Sequence, residues 1–206
     1  MRLRTMLASI FGLFVVVGTV QAAGDVGGFS YTAPGGIIPQ LGSQTEGFAN
    51  FPLFMNGEVA NIASIELVLN GLTHTQPDDL DIYLISPFGE TVEIMTDKGD
   101  GVAVANVNLV FNDTGGVLPA DNSALVAGTY RPEEDNGTDV TGLSKYVGNS
   151  GGTDAWELII IDDSETDQGN LVSYTLRGTV PEPASLALLG FGAVAALRCR
   201  SRRVSW

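Results

Sequence analysis

The chain has 206 residues, 17 % charged and 44 % hydrophobic, with 26 glycines; this suits one turn-rich folded domain with processing segments and excludes a pair of large catalytic domains. A formal net charge of -14 excludes a phosphate backbone as partner, because nucleic-acid binding rests on Lys and Arg neutralising phosphates. That charge is unevenly spread. Six of the 10 basic residues are Arg2, Arg4, Arg198, Arg200, Arg202 and Arg203 at the extreme ends, so the middle keeps 4 basic residues against 23 acidic ones, or -19.

In chain order, Arg2 and Arg4 precede an apolar run from Met6 to Val20 and the small-residue step Val20-Gln21-Ala22. A charged start, a short apolar stretch and small residues at the cut form a secretory signal over residues 1–22, cleaved by signal peptidase after Ala22. Residues 23–37, rich in Gly, read as a linker, with a first edge strand before Gly47.

From there the pattern is β. Ile65, Leu67 and Leu69 alternate with Glu66, Val68 and Asn70; Leu80, Ile82 and Leu84 alternate with Asp81, Tyr83 and Ile85. Trp156 to Ile161, apolar on both faces apart from Glu157, reads as a central strand, and Leu171 to Leu176 as a closing one. Turn signals such as Gln76-Pro77-Asp78, Ser86-Pro87-Phe88-Gly89 and Gly148-Asn149-Ser150-Gly151-Gly152 separate the runs. The expectation is an all-β, two-sheet jelly-roll sandwich over residues 38–179.

The tail, residues 180–206, holds Pro181-Glu182-Pro183, then 14 apolar or small residues from Ala184 to Leu197, then a basic cluster. As a helix that stretch is about 21 Å long, short of a ~30 Å hydrocarbon core and so a marginal, transient anchor. The arginines after it stay cytoplasmic, leaving the acidic middle outside. Cys199, the only cysteine, rules out an intramolecular disulfide.

Motif, span and basic end in that order resemble the PEP-CTERM sorting signal. The resemblance implies processing by an exosortase at Pro181, Glu182 and Pro183, a transient stop in the inner membrane, and delivery to the cell surface or an exopolysaccharide matrix.

The middle also carries an ordered set of motifs: His74-Thr75, Asp79-Leu80, Ser86-Pro87 with Gly89, Phe111-Asn112-Asp113, Gly128-Thr129-Tyr130-Arg131-Pro132, Trp156-Glu157-Leu158, Asp162, Gly169, Leu171 and Tyr174-Thr175-Leu176. Over Ile38 to Gly178 these resemble the P domain, or P/Homo B domain, of subtilisin-like proprotein convertases; Glu90 before Thr91 departs from its Ser-Pro-x-Gly-Thr pattern. The resemblance implies a jelly roll of the galactose-binding-like type and a role beside a serine protease.

Catalysis is not expected in this chain. His74 is the only histidine, the resemblance assigns it to a strand end, and no Gly-Thr-Ser nucleophile loop accompanies it; a triad needs a base within reach of a nucleophile. One His and one Cys serve zinc poorly. Calcium takes six to eight oxygens, and Asp79, Asp81, Asp113, Asp162 and Asp163 are the candidate ligands. The spacing of Asp163, Glu165 and Asp167 imitates an EF-hand loop, but Gln168 and Tyr174 stand where that loop needs Gly and Glu. Tyr83, Tyr130, Tyr146 and Trp156 are the aromatics available to stack on sugar, Trp156 reading as core. The functional expectation is an exported, non-catalytic module that binds a protein or polysaccharide at the cell surface, with two alternatives: accessory domain of a subtilisin-like protease acting in trans, or carbohydrate-binding module.

Overall fold

A computed structural model describes residues 27–42, 47–55, 59–120, 122–133 and 142–181. The signal segment, Ala22, Glu182, Pro183 and the apolar tail lie outside the described residues. Among these described residues nine strands run in the order β1 (Gly28–Ile38), β2 (Phe48–Leu53), β3 (Ser64–His74), β4 (Leu80–Ile85), β5 (Thr91–Thr96), β6 (Val104–Gly116), β7 (Gly128–Tyr130), β8 (Trp156–Asp162) and β9 (Gly169–Thr179). They form two sheets, β1-β9-β3-β6-β7 and β2-β8-β4-β5. The antiparallel pairs are nested, β4 with β5, β3 with β6, β2 with β8 and β1 with β9, which is one long hairpin rolled into a sandwich, the winding of a jelly roll.

The core lies between the sheets and follows the alternation of each strand. Leu67, Leu69, Phe111, Tyr174 and Leu176 from one sheet meet Leu53, Ile82, Leu84, Leu158 and Ile160 from the other, all buried. Two tyrosines satisfy their buried hydroxyls on backbone: Tyr174 donates to the Phe51 carbonyl at 2.8 Å and Tyr146 to that of Leu84 at 2.5 Å. As expected, β8 is an interior strand, between β2 and β4.

Two departures from the expected boundaries have physical causes. Gly28–Ile38 is not a linker but a full edge strand paired with β9 from Gly28↔Thr179 to Ile38↔Gly169. Its inward residues Phe29, Tyr31 and Ala33 are buried, and the Pro34-Gly35-Gly36 step conceals that alternation in the sequence. The second is a bulge in β3, where the register with β6 shifts between Leu69 and Leu72. Gly71 there has φ 68°, a conformation that costs glycine least. The extra residue switches the inward positions from odd, Ile65, Leu67 and Leu69, to even, Leu72 and His74. That switch carries the histidine into the interior.

Candidate functional site

His74 ends β3 and is 1 % exposed. Across the sandwich, β8 presents Trp156, Leu158, Ile160 and Asp162 inward, so Asp162 occupies a core position and is fully buried. The two side chains meet there, His74 Nε2 lying 3.1 Å from Asp162 Oδ2. His74 Nδ1 faces the Gln76 backbone, with its carbonyl at 2.8 Å and its amide at 3.3 Å. With Nε2–H donating to Asp162, Nδ1 accepts the Gln76 amide, and both ring nitrogens are engaged. A triad histidine keeps one ring nitrogen for a nucleophile's hydroxyl; those of His74 face Asp162 and the Gln76 backbone.

Asp162 Oδ1 accepts the Ser164 amide at 3.0 Å. Burial raises its carboxyl above the usual range, partly offset by the Ser164 amide and by His74. Gly169 in β9 pairs with His74, and a Cβ on it would lie 2.2 Å from His74 Cδ2; only a glycine lets β9 pass this close.

An acidic rim surrounds the pair. Asp167, buried, accepts hydrogen bonds from Ser164 Oγ at 2.8 Å, Thr75 Oγ1 at 3.0 Å and Gln76 Nε2 at 2.5 Å. Asp79 is half-buried in the 3-10 turn Pro77–Asp79. Its carboxyl is pushed up to about 6 by desolvation, by its hydrogen bond to Asp167 and by the charges of Asp78, Asp167 and Asp163. Burial works against ionisation of Asp167, but hydrogen bonds from Ser164, Gln76, Asp79 and Thr75 outweigh it and hold that carboxyl at about 2. Below about pH 6 the protonated Asp79 is the donor and Asp167 the acceptor between the two.

The sign of the pH effect follows. Asp79, with its folded pKa raised, contributes stability that is complete below about 4 and is lost as pH rises through about 6. Asp167, with its pKa depressed, contributes above about 4 and loses that contribution as pH falls towards 2. Asp79→Asn keeps a donor for Asp167 without the charge. At pH 8 it stabilises the domain by about 1 kcal/mol after discounting for solvent screening, and at about pH 3.5, below both the folded and unfolded pKa of Asp79, it changes little. Denaturant midpoints at the two pH values check this, and an Asn variant no more stable than the parent at pH 8 overturns it.

The five expected calcium ligands do not gather around one point. Asp79, Asp162 and Asp163 lie at this histidine end, where the Asp163 amide donates to the Asp79 carbonyl at 3.1 Å. Asp81 points outward from β4 and accepts the Thr96 hydroxyl. Asp113 belongs to the other end altogether: it lies within β6, in register with the start of β3 rather than with His74, about 30 Å away along the strand. Its carboxylate accepts the amides of Leu143 at 2.8 Å and Ser144 at 2.7 Å, capping the 3-10 turn Gly142–Tyr146. Among the described residues no group of three or more His, Cys, Asp or Glu side chains is arranged to hold a metal ion. The oxygens of Asp162 and Asp167 are already taken by internal donors, and Asp167, which completes the rim, was absent from the expected set.

Of the aromatics available for sugar, Trp156 and Tyr146 are fully buried and Tyr130 is 9 % exposed; Tyr83 alone reaches the surface in part. The lysines are engaged too, Lys98 with Glu133 at 2.9 Å and Lys145 with the Thr91 carbonyl at 2.8 Å. At the end opposite the histidine, an open groove of about 700 Å³ runs between Phe29, Ile65, Leu143 and Val147, flanked by the ion pair of Arg177 and Glu66.

No curated protein matches this sequence. Among solved structures, the chain is similar to the serine protease of Aeromonas sobria at 14 % identity and a TM-score of 0.39, over 84 % of this chain and 28 % of that one. The crystal structure of that protease with the chaperone gives the same identity and TM-score, over 80 % and 28 %. The chain thus spans less than a third of the protease's length. The family model of the PEP-CTERM protein-sorting motif matches residues 179–203, marking an exported protein with a membrane-anchored sorting signal processed by an exosortase. The model of the proprotein convertase P-domain, an accessory rather than a catalytic unit, matches residues 63–178, more than half of the chain. The His74-Thr75, Asp79 and Asp162 positions fall within that match, with His74 and Asp162 as its buried pair, and the chain belongs to the proprotein convertase P-domain family.

Proposed function

We propose that this chain is a non-catalytic P-domain module, sorted through its PEP-CTERM tail to the cell surface or exopolysaccharide matrix, where it binds a protein partner or the matrix itself. The observation that carries the reading is the junction: the P-domain match ends at residue 178 and the sorting motif begins at 179. His74, engaged at both nitrogens, supports the non-catalytic part. Fractionation of the host tests the sorting. The protein is expected in the surface or matrix fraction, and replacement of Pro181, Glu182 and Pro183 by alanine is expected to hold it in the inner membrane. An unchanged distribution in the triple variant sinks the proposal.

The family match favours one alternative, an accessory role for a serine protease acting in trans. It predicts co-purification of a protease with the domain, whereas the carbohydrate-binding alternative predicts retention on the host's polysaccharide. Calcium at the rim that holds Asp79 and Asp163, two of the five expected ligands, is a separate proposal supported by the acidic composition alone. It requires millimolar calcium to raise the melting temperature and a chelator to lower it; no shift removes calcium from the account.

A further inference from the structure

The chain leaves the sandwich at a defined place. Gly28 and Thr179, the first residue of β1 and the last of β9, are paired, so both termini emerge at one end, opposite His74. The fold runs up to the sorting motif without a spacer: the Ala63 amide holds the Thr179 carbonyl at 2.8 Å, and the Val180 amide donates to the Gly27 carbonyl at 2.9 Å. Val180 also packs on the core. The apolar stretch of the motif begins at Ala184, four residues on, a reach of at most about 14 Å. A sandwich whose β3 alone extends about 35 Å is therefore tethered by its terminal end, close to the bilayer, whenever that stretch is in the membrane.

The terminal end has the surface this requires. Phe54 follows β2, whose last residue Leu53 pairs with Trp156. Phe88 lies in the turn from β4 to β5, with its ring 3.9 Å from where a Cβ on Gly152 would stand. Val147 lies in the loop whose residues Gly148 and Asn149 bond to Ile62 beside the start of β3. These three side chains are 44 %, 58 % and 47 % exposed, and Phe54 and Phe88 are the exposed phenylalanines among the described residues.

Charge is polarised along the same axis. Asp78, Asp79, Asp97, Asp100, Asp163, Glu165 and Asp167 crowd the histidine end. Among the described residues the terminal end holds Arg131, Lys145 and Arg177 against Glu66, Glu90, Asp113, Asp154 and Glu157, of which Glu66 pairs with Arg177, Glu90 and Glu157 accept from Asn149 and Asn50, and Asp113 caps backbone amides. Among the described residues an anionic lipid surface repels the histidine end more than the terminal one.

We propose that the anchored protein stands end-on against the outer leaflet, with Phe54, Phe88 and Val147 in the headgroup region of the bilayer. This rests on the reading of the chain as exported and transiently anchored by its sorting segment. Aromatic and aliphatic side chains at such an interface gain from burial among headgroups and upper acyl chains. The contact holds the Pro181–Pro183 motif at a fixed height over the membrane until it is processed.

The test uses the exported chain with its sorting segment, in vesicles of phosphatidylethanolamine and phosphatidylglycerol. In a Cys199→Ser background, nitroxides are placed singly at Phe54→Cys, Phe88→Cys and, at the histidine end, Val102→Cys, which is an exposed position. Collisions with oxygen relative to a water-soluble nickel chelate report depth. The ratio at positions 54 and 88 is expected to exceed that at 102 by roughly threefold or more. Vesicle flotation with position 88 as aqueous as position 102, or with all three positions in lipid, overturns the end-on arrangement and leaves the anchoring intact. Failure to float with the vesicles removes the anchoring and this inference together.

Discussion

Asp162→Ala is expected to cost about 3–5 kcal/mol, the usual penalty for stripping one partner from a buried pair. It leaves His74 Nε2 facing a cavity at a site where both side chains are excluded from water. His74→Ala is of similar size for the opposite reason, since it abandons a buried carboxylate whose pKa burial already raises. The two defects separate by pH. In His74→Ala the orphaned carboxyl can be held neutral, so the loss shrinks towards pH 4 and grows as pH rises past the ordinary carboxylate range. Asp162→Ala has no such carboxyl, and its defect does not grow with pH in that window. The double replacement by leucine, which removes both polar groups, recovers part of the loss. Urea unfolding at pH 4 and pH 7 reads all four proteins. A loss below about 1 kcal/mol in both single variants would mean that the pair does not hold the ends of β3 and β8 together. Peptide hydrolysis that depends on His74 in a folded variant would overturn the non-catalytic assignment.

Much of this network was legible in the sequence, though not its purpose. The alternation Trp156, Leu158, Ile160 continues to Asp162, so simple parity puts that aspartate in the core and argues against a solvated calcium ligand. The complementary signal was harder to find. Counted from Ile65, Leu67 and Leu69, His74 falls on the outward face, and only the bulge at Gly71 reverses it; one glycine in a strand marks such a bulge without fixing its register. Asp167 looked like one more carboxylate in an acidic loop, because its donors Thr75 and Gln76 are some 90 positions away in sequence. The same distance problem separates Asp113 from the other candidate calcium ligands. A strand end is readable locally, but which end of a sandwich it reaches depends on pairing with β3. The fold class does not depend on these placements, because it rests on inward residues of the strands, which the two-residue period reports directly.

Trp156 carries the largest side chain in the core, and Trp156→Ala is expected to cost about 3–5 kcal/mol and to broaden the unfolding transition. The indole is fully buried, meets Tyr146 edge to face at 5.0 Å and 80°, and donates Nε1–H to the Gly151 carbonyl at 2.9 Å. Three elements converge on it: β8 itself, the loop before it, and the turn Gly142–Tyr146 that Asp113 caps. Trp156→Phe keeps an aromatic ring against Tyr146 but strips the donor from a buried carbonyl, a loss of about 1–3 kcal/mol. These variants also decide the sugar question. A ring that stacks on polysaccharide must be accessible, and its replacement by Phe should weaken retention without changing stability. A core ring behaves in the opposite way: Trp156→Phe lowers the unfolding midpoint and leaves any retention of the folded protein unchanged. Retention lost in Trp156→Phe at an unaltered midpoint would place the indole in a binding site and undo the burial on which the protein-or-matrix reading distinguishes itself from a lectin.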